Sequence, residues 1–165
     1  MIKEENNMII NCTIADPNIK LPEYESKGAA CVDLRAWKYA WPDDLKTDFE
    51  IIEGVWLRPM GRILIKTGLR IELLPGMEAQ IRPRSGLAIK HGITVLNSPG
   101  CIDSDYRGDI GVILINLNSD PYLINRGDRV AQMSFHKVER IELKNKDKLS
   151  DTERGDGGFC STGIN

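Results

Sequence analysis

The fold is decided by the stretch Ile63-Leu64-Ile65-Lys66-Thr67-Gly68-Leu69-Arg70-Ile71-Glu72-Leu73-Leu74-Pro75-Gly76-Met77-Glu78-Ala79-Gln80-Ile81-Arg82. Mostly apolar residues recur at every second position over 63–73 and again over 77–81, which is the period of a half-buried β-strand. The pair Pro75-Gly76 between the two runs favours a tight turn. The stretch therefore predicts one long strand over 63–73 that folds back as a hairpin onto 77–82.

The rest of the chain adds further strands and little helix. Residues 110–117 are apolar throughout, which predicts a central strand, and 9–14 and 129–135 also have strand character. The one helical candidate is a turn or two beginning at Ser85, interpreted as an N-cap just after Pro83. Short strands separated by glycine and proline turns are typical of all-β folds. We expect a mainly antiparallel, jelly-roll-like β-sandwich or barrel with one short helix.

The length of 165 residues fits one domain with a substantial core. We expect a β domain over 1–143, in which residues 37–60 form an extended loop anchored by aromatic side chains. Residues 144–165 begin with a run rich in Lys, Asp and Glu and end in a glycine-rich segment. We expect these residues to form a flexible linker and a tail.

Charge and composition argue against several classes of protein. The net charge of −2 is spread without a basic stripe, so we expect no nucleic-acid partner and no membrane partner. No apolar run approaches the roughly 20 residues that span a bilayer, and the polar amino terminus is unlike a targeting peptide. We therefore expect a cytoplasmic protein, or one of the nucleus or another reducing compartment.

The four cysteines are Cys12, Cys31, Cys101 and Cys160. They are far apart and, with only two histidines in the chain, they do not form a zinc-binding pattern. A disulfide framework is not expected in a domain with a core of this size. Because free cysteine is among the most buried residue types, we expect four buried or half-buried thiols.

The chain ends in an unusual segment, Arg154-Gly155-Asp156-Gly157-Gly158-Phe159-Cys160-Ser161-Thr162-Gly163-Ile164-Asn165. Its glycines disfavour helix and strand, yet it carries groups that bind nucleotides. Arg154 suits phosphate oxygens, and Phe159 suits stacking on a base. Ser161 and Thr162 supply hydrogen-bond donors. The alternative interpretation is a solvated, disordered tail.

Two further segments carry groups suited to a phosphorylated nucleotide. Asp33, in 28–36, is either a site carboxylate or an outward-facing surface residue. The segment 83–88 forms either an anion site at a helix start or a simple helix cap. Its candidate groups are Arg84, Ser85 and Gly86.

The last two segments complete an ordered set. Residues 97–109 carry an acidic run that is otherwise a solvated turn, and Gln132, in 129–133, otherwise faces water. In order and spacing, the five segments resemble the five motifs of the homotrimeric dUTP pyrophosphatases (deoxyuridine triphosphate nucleotidohydrolases). The resemblance runs from Leu21 to Gly163, nearly the whole chain.

The resemblance implies an enzyme that hydrolyses dUTP to dUMP and pyrophosphate by in-line attack of water on the α-phosphorus, with Mg²⁺ as cofactor. This activity limits uracil in DNA and supplies dUMP for dTMP synthesis. The resemblance also implies a homotrimer with shared active sites. Asp33, residues 84–86 and Gln132 would come from one subunit and the 97–109 hairpin from a second. The tail of a third subunit would close over the site.

For the base and sugar, the resemblance implies that Asp103 is the general base for the attacking water. Tyr106 packs beneath the deoxyribose and blocks a 2′-hydroxyl. Uracil is recognised by the side chain of Asn97 and the backbone around Gly100, Cys101, Ile102 and Gly111.

For the triphosphate, the resemblance implies contacts from Arg84, Ser85, the Gly86 amide and Gln132. Mg²⁺ is held mainly by the phosphates, and Asp33 reaches it through coordinated waters. Arg154 resembles an arginine finger that binds phosphate and assists catalysis. The rest of the tail binds substrate through Phe159, which caps the base, and through Cys160, Ser161 and Thr162.

The chain departs from the family pattern at three cysteines. Cys31 and Cys160 stand where glycine is usual, and Cys101 stands where an aliphatic residue is usual. Two alternatives stay open: a relative of the dCTP deaminases, and a dUTP-sensing regulatory protein of the same fold. In the second case the 37–60 segment leaves room for a partner surface.

Overall fold

The structure, a computed structural model, describes residues 8–158. This part of the chain folds into thirteen strands and one helix, and its strands pair in antiparallel fashion. The elements are β1 (Asn11–Ile14), β2 (Val32–Arg35), β3 (Lys38–Trp41), β4 (Asp44–Glu50), β5 (Val55–Leu57), β6 (Arg62–Lys66), β7 (Leu69–Glu72), β8 (Met77–Arg82), α1 (Ser85–His91), β9 (Ile93–Val95), β10 (Gly100–Ile102), β11 (Gly111–Asn116), β12 (Tyr122–Ile124) and β13 (Arg129–Lys137). The prediction of a mainly antiparallel all-β fold with one short helix is confirmed.

Two larger sheets organise these strands. The five-stranded sheet has the order β4-β3-β6-β11-β9, and the four-stranded sheet has the order β10-β8-β13-β2. Two small sheets pair β1 with β7 and β12 with β5. The strands predicted over 9–14, 110–117 and 129–135 are confirmed as β1, β11 and β13, and β11 lies inside its sheet as expected.

Both larger sheets contribute to a single apolar core. Burial alternates along β6, β8 and β11, so that one face of each strand is buried and the other is available to a site. Burying one large aliphatic side chain contributes about 1.5–3 kcal/mol to folding. The side chains that unite the sheets include Ile63, Ile65, Ile81, Val112, Leu114 and Met133.

The predicted hairpin is wrong, although its turn is confirmed. Met77 N donates to Leu74 O at 3.1 Å and Gly76 has a φ of 80°, so the chain turns at Pro75-Gly76. Before the turn, β7 pairs with β1; after it, β8 pairs with β10 and β13. Alternation shows which side chains face the core but not which strand lies alongside, so the spacing could not identify the partners.

The predicted long strand over 63–73 is also interrupted. β6 ends at Lys66 and β7 begins at Leu69. Between them Gly68 has a φ of 70°, in the left-handed region that favours glycine. A Cβ at Gly68 would contact Ile19 Cδ1 and would lie 3.3 Å from Trp37 Cδ1. The break lets β6 join the five-stranded sheet while β7 pairs with β1.

The segment 37–60 contains β3, β4 and β5 rather than the extended loop that the sequence predicted. β3 lies beside β6 and β4 forms the sheet edge, where Tyr39 stacks on Phe49 with ring centroids 5.4 Å apart. Six of the seven residues of β4 are exposed. An edge strand that buries so little shows no apolar period, so the sequence pattern did not reveal it.

Two smaller predictions are corrected at the helix and the cysteines. The N-cap of α1 is Arg84, whose backbone is extended, and Ser85 is the first helical residue. Cys12 and Cys101 are exposed and Cys31 is half-buried, so burial was wrongly predicted for the first two. Both exposed thiols lie on strands at sheet edges, where a face stays open to solvent. Cys160 lies outside the described residues.

Within residues 8–158, no helix has the length and apolar character needed to cross a membrane. Residues 144–158 form neither strand nor helix and are almost all exposed. The division into a β domain over 1–143 and a flexible linker with tail stays a prediction.

We predict that Gly68→Ala destabilises the protein more than Gly76→Ala. Both glycines have a positive φ, 70° and 80°. Each alanine should therefore cost about 1–2 kcal/mol for a left-handed backbone. A Cβ at Gly76 meets nothing within 4 Å, whereas one at Gly68 contacts Ile19. Urea unfolding should show a further loss of about 1 kcal/mol for Gly68→Ala. Equal losses would show that Ile19 moves aside without cost.

Candidate active site

A cavity of about 260 Å³ opens beside residues 97–109. The prediction that these residues form a hairpin is wrong, because β10 pairs with β8 in the four-stranded sheet, whereas β9 and β11 pair with each other in the five-stranded sheet. Strands β6, β8, β9, β10 and β11 contribute to its lining, together with the turn between β10 and β11. The structure brings together here the described residues that the resemblance assigned to the base, the sugar and the attacking water, whereas Phe159, which would cap the base, lies outside residues 8–158. The residues brought together are Asn97, Gly100, Cys101, Ile102, Asp103, Tyr106 and Gly111.

Bare glycine backbone forms part of the cavity wall. Gly100 is buried, and a Cβ there would lie 3.2 Å from Asn97 Nδ2 and 3.4 Å from Ile81 Cβ. A Cβ at Gly111 would lie 2.8 Å from Leu64 Cδ1. A side chain at either position would displace its neighbours, so the shape of the cavity depends on glycine at both.

Asp103 and Tyr106 are exposed residues of the turn that closes the cavity. Tyr106 N donates to Asp103 O at 3.1 Å, and Arg107 Nη1 donates to Ser104 O at 2.7 Å. Tyr106 Oη donates to Asp109 O at 3.0 Å. The turn is therefore held by its own hydrogen bonds, which present the carboxylate and the aromatic ring at the cavity.

Sequence reasoning missed two charged residues of the cavity, Lys66 and Asp109. Lys66 Nζ lies 3.9 Å from Asp48 Oδ1. Burial raises the pKa of the Asp109 carboxyl, while hydrogen bonds from Gly68 and Thr67 and the charge of Lys66 oppose that rise. Lys66 lies opposite Gly111 in the β6–β11 register. Knowledge of that register would have identified Lys66, whereas spacing along one strand does not.

A second group of predicted residues lies where β2, β13 and the start of α1 come together. Asp33 Oδ1 accepts a hydrogen bond from Arg84 Nε at 3.0 Å, and Asp33 Oδ2 accepts one from Arg129 Nη1 at 3.1 Å. Gln132 lies opposite Asp33 in register, and its Nε2 donates to Pro83 O at 2.9 Å. The side chain of Asp33 is only 14% exposed, so the interpretation as an outward surface carboxylate is wrong.

The first residues of α1 complete this group. Ser85 and Gly86 are exposed, and nothing lies within 4 Å of a Cβ added at Gly86, so the backbone there is open to a ligand. Arg129 opens the 129–133 motif but was not assigned a role, and its guanidinium adds a second positive charge beside Asp33. Arg129 Nη1 also lies 3.5 Å from Glu25 Oε1, so two guanidinium groups face two carboxylates and offer donors that phosphate oxygens can share.

The two groups are separate within one chain. None of Asp33, Arg84 and Gln132 is among the described residues that line the cavity. Arg154 does not line it either: its Nε donates to Gly157 O at 2.9 Å in a local turn. The other predicted tail residues, Phe159, Cys160, Ser161 and Thr162, lie outside the described residues. A single chain therefore presents a cavity of about 260 Å³ and a separate polar group around Asp33 that does not line it.

Cys101 illustrates how the cavity rim is tied to β8. Its thiol donates to Glu78 Oε2 at 2.8 Å, and Gln80 Nε2 donates to Glu78 Oε1 at 2.7 Å. The hydrogen bond to Glu78, with burial and nearby negative charge, raises the pKa of the Cys101 thiol to about 11. The thiol that replaces an aliphatic side chain at this position is therefore held in its neutral form.

Fold and site together define a small all-β nucleotide-binding protein. A model of the dUTPase family matches residues 42–163. The chain therefore belongs to the dUTPase family.

Relatives with established names agree over most of their length. The deoxyuridine 5′-triphosphate nucleotidohydrolase of Treponema denticola is 51% identical over a region covering 87% of this chain and 91% of that protein. The protein of the same name from Heliobacterium modesticaldum is 47% identical over 90% of this chain and 93% of its own.

Solved structures share the fold. The dUTPase of Staphylococcus bacteriophage 80alpha with dUpNHpp has a TM-score of 0.75 at 22% identity and covers 96% of this chain and 100% of its own. A mutant dUTPase of phage phi11, described with a coordinated structural Mg(II) ion, has a TM-score of 0.70 at 21% identity, with coverage of 86% and 99%. At such identities these likenesses show the fold alone.

We predict that Glu78→Gln makes the Cys101 thiol react faster with iodoacetamide at about pH 8.5, because the neutral amide no longer disfavours the thiolate. The measurement is the labelling rate of the Cys101 peptide by mass spectrometry. Cys12, exposed on β1, serves as the internal control and should label equally in both proteins. An unchanged Cys101 rate would mean that Glu78 does not protect the thiol.

Proposed function

We propose that the chain hydrolyses dUTP to dUMP and pyrophosphate, the activity for which its named relatives are called deoxyuridine 5′-triphosphate nucleotidohydrolases. One observation carries the proposal: Asn97, residues 100–103, Tyr106 and Gly111 line a single cavity of about 260 Å³. Drug-sized ligands occupy pockets of roughly 300–1,000 Å³, so a smaller cavity with polar backbone groups suits one base and part of its sugar.

Selectivity for uracil would come from the narrow, glycine-walled part of the cavity. The Asn97 side chain and the backbone at Gly100, Ile102 and Gly111 offer donors and acceptors to the edge of the base. The close packing around Gly100 supports exclusion of a 5-methyl group, and thus of thymine. The exocyclic amine of cytosine would leave polar groups unpaired at a cost of about 1–3 kcal/mol each.

The sugar and the attacking water are assigned to the turn between β10 and β11. The Tyr106 ring lies beneath the deoxyribose and leaves no room for a 2′-hydroxyl. The Asp103 carboxylate takes a proton from water as the water oxygen bonds to the α-phosphorus. The bond between the α-phosphorus and the bridging oxygen breaks on the opposite side, and pyrophosphate leaves with that oxygen.

The triphosphate is assigned to the group around Asp33. Arg84 and Arg129 supply guanidinium donors, and Ser85, the Gly86 amide and Gln132 supply neutral donors. Arg84 and Arg129 already pair with Asp33 through hydrogen bonds of 3.0 and 3.1 Å. Neither guanidinium group therefore lacks a partner, with or without a bound triphosphate.

The described residues fit a magnesium ion carried by the substrate rather than one held by the protein alone. Between residues 8 and 158, no group of three or more His, Cys, Asp or Glu side chains is placed to hold a metal ion. Both oxygens of Asp33 are engaged by guanidinium groups, which suits contact through a coordinated water better than direct ligation. Mg²⁺ bound to the triphosphate would offset negative charge that develops on the phosphates.

A homotrimer with shared sites accounts for the separation of the two groups within one chain. The cavity of one subunit would face the Asp33 group of a second, with cyclic symmetry repeating the site. Residues 144–165 of a third subunit would form the linker and tail that close over the nucleotide. In that tail Arg154 would contact the phosphates and Phe159 would cap the base.

We predict a strict substrate preference in a phosphate-release assay coupled to inorganic pyrophosphatase. Activity on dUTP should exceed that on dTTP, dCTP and UTP by about 10²-fold or more, because each rejected nucleotide either clashes or leaves polar groups unpaired. Chelation of Mg²⁺ should abolish most of the activity, and added Mg²⁺ should restore it. Ammonia release from dCTP, or comparable rates on all four nucleotides, would contradict the proposal.

We predict that mixing two inactive variants restores activity. Asp103→Asn and Arg84→Ala should each lose about 10²–10⁴-fold in kcat, because each removes one half of the site. In trimers refolded from an equal mixture, about a quarter of the sites should pair an intact Arg84 with an intact Asp103.

The matched control mixes Asp103→Asn with Asn97→Ala, two changes on the same cavity. Every cavity then carries one defect, so activity should not return. Recovery in both mixtures, or in neither, would show that the two groups do not meet across a subunit boundary.

A further inference from the structure

Asp109 is a charged residue of the cavity whose side chain bridges to another part of the fold. Its Oδ1 accepts hydrogen bonds from Gly68 N at 3.0 Å and Thr67 N at 3.2 Å. Both amides belong to the break between β6 and β7, where two successive N–H groups face one carboxylate. The carboxylate therefore fastens the end of the 97–109 segment to the break between β6 and β7.

The backbone of the same residue holds the aromatic ring of the site. Asp109 O accepts the hydrogen bond from Tyr106 Oη at 3.0 Å, and Tyr106 N donates to Asp103 O at 3.1 Å. Gly108 allows this close return, since a Cβ there would contact the Tyr106 hydroxyl. Displacement of Asp109 would thus move the Tyr106 ring.

Other contacts hold the backbone around Ile110 in place when the Asp109 carboxylate is removed. Ile110 N donates to Leu69 O at 2.9 Å, and Thr67 N also donates to Ile110 O at 3.1 Å. The Arg107–Glu72 pair, 3.7 Å apart, is exposed on both sides and adds little. The backbone ladder around Ile110 therefore supports folding, while Asp109 controls where the turn before it lies.

We propose that Asp109 is a positioning residue that sets the selectivity of the site for deoxyribose over ribose by fixing Tyr106 against the β6–β7 break. The inference rests on the proposed hydrolysis of dUTP. It assigns to Asp109 no contact with substrate. The part of Asp109 that matters is the side-chain oxygen facing two backbone amides, which an asparagine also possesses.

The test measures kcat and KM for dUTP and UTP in full-length variants. Asp109→Ala should lower the ratio of kcat/KM for dUTP over UTP by about 5–30-fold, the effect of losing one or two hydrogen bonds that hold the ring. The lower ratio should come mainly from a higher KM for dUTP and from a higher activity on UTP. The kcat for dUTP should stay within about threefold of wild type. Asp109→Asn should restore the ratio to within about threefold because it keeps the acceptor.

Tyr106→Phe gives a second route that does not disturb the carboxylate. It removes the hydroxyl that donates to Asp109 O, so it should lower the dUTP-to-UTP ratio in the same direction. Combined with Asp109→Ala, it should add little further loss, because both changes release the same ring. This variant decides the matter if Asp109→Ala fails to fold.

Asp44→Ala is the matched control. Its carboxylate accepts two backbone amides, Lys46 N and Thr47 N, both at 3.2 Å, in a turn that does not line the cavity. Its selectivity should equal that of wild type.

An Asp109→Ala enzyme with unchanged selectivity, or with equal losses on both nucleotides and no rescue by asparagine, would overturn the inference and leave the proposed function standing. A wild-type protein that does not hydrolyse dUTP would remove the proposed function itself.

Discussion

Strand β13 lies between β8 and β2, and its register with both strands fixes the group around Asp33 to which we assign the triphosphate. Gln132 lies opposite Arg82 on one neighbour and Asp33 on the other. Because successive side chains face opposite sides of a sheet, a slip of one residue would turn Gln132 inward and expose Met133. Met133 is 1% exposed and belongs to the core, so burial worth about 1.5–3 kcal/mol at this position alone opposes that slip. The same apolar burial that stabilises the fold thereby holds the chemical groups in their places.

The cavity depends on the same constraint in the other sheet. Along β11, Val112 and Leu114 are buried in the core, while Gly111 and Ile113 face the cavity between them. A Cβ added at Gly111 would lie 2.8 Å from Leu64 Cδ1, and one at Gly100 would lie 3.2 Å from Asn97 Nδ2, so bare backbone at both positions leaves the wall close-fitting. A close-fitting wall suits discrimination between bases that differ by one methyl group or one amine. The turn that carries Asp103 and Tyr106 lacks such support from a sheet and relies on hydrogen bonds, including those at Asp109.

Charge is distributed unequally between the two groups. Asp33 pairs with Arg84 and Arg129, and Arg129 also lies 3.5 Å from Glu25, so two guanidinium groups are matched by two carboxylates in the group to which we assign the triphosphate. The cavity instead carries Asp103 and Asp109 beside Lys66, a balance that suits a neutral base and an activated water. In the proposed trimer, the cavity and the group around Asp33 would meet across a subunit boundary. Productive binding would then require contacts to both the base and the triphosphate of one nucleotide. In the proposed trimer, selectivity would therefore come from the assembly as well as from the single chain.

The sequence by itself determined the class of fold, the turn at Pro75-Gly76, and the identity of the residues from Asn97 to Gly111 that line the cavity. The fold class and the turn depend on short-range properties, namely the period of two along a strand and the freedom of glycine. The cavity residues were identified by the resemblance of the ordered motifs to a known family. Only the tertiary structure decided that β7 and β8 lie in different sheets and that 37–60 is built from strands. It also decided that Asp33 pairs with Arg84 and Arg129, 51 and 96 residues away, and that Asp109 reaches Gly68, 41 residues away. Such contacts depend on which strands lie side by side and in which register, and the alternation of side chains within one strand does not contain that information.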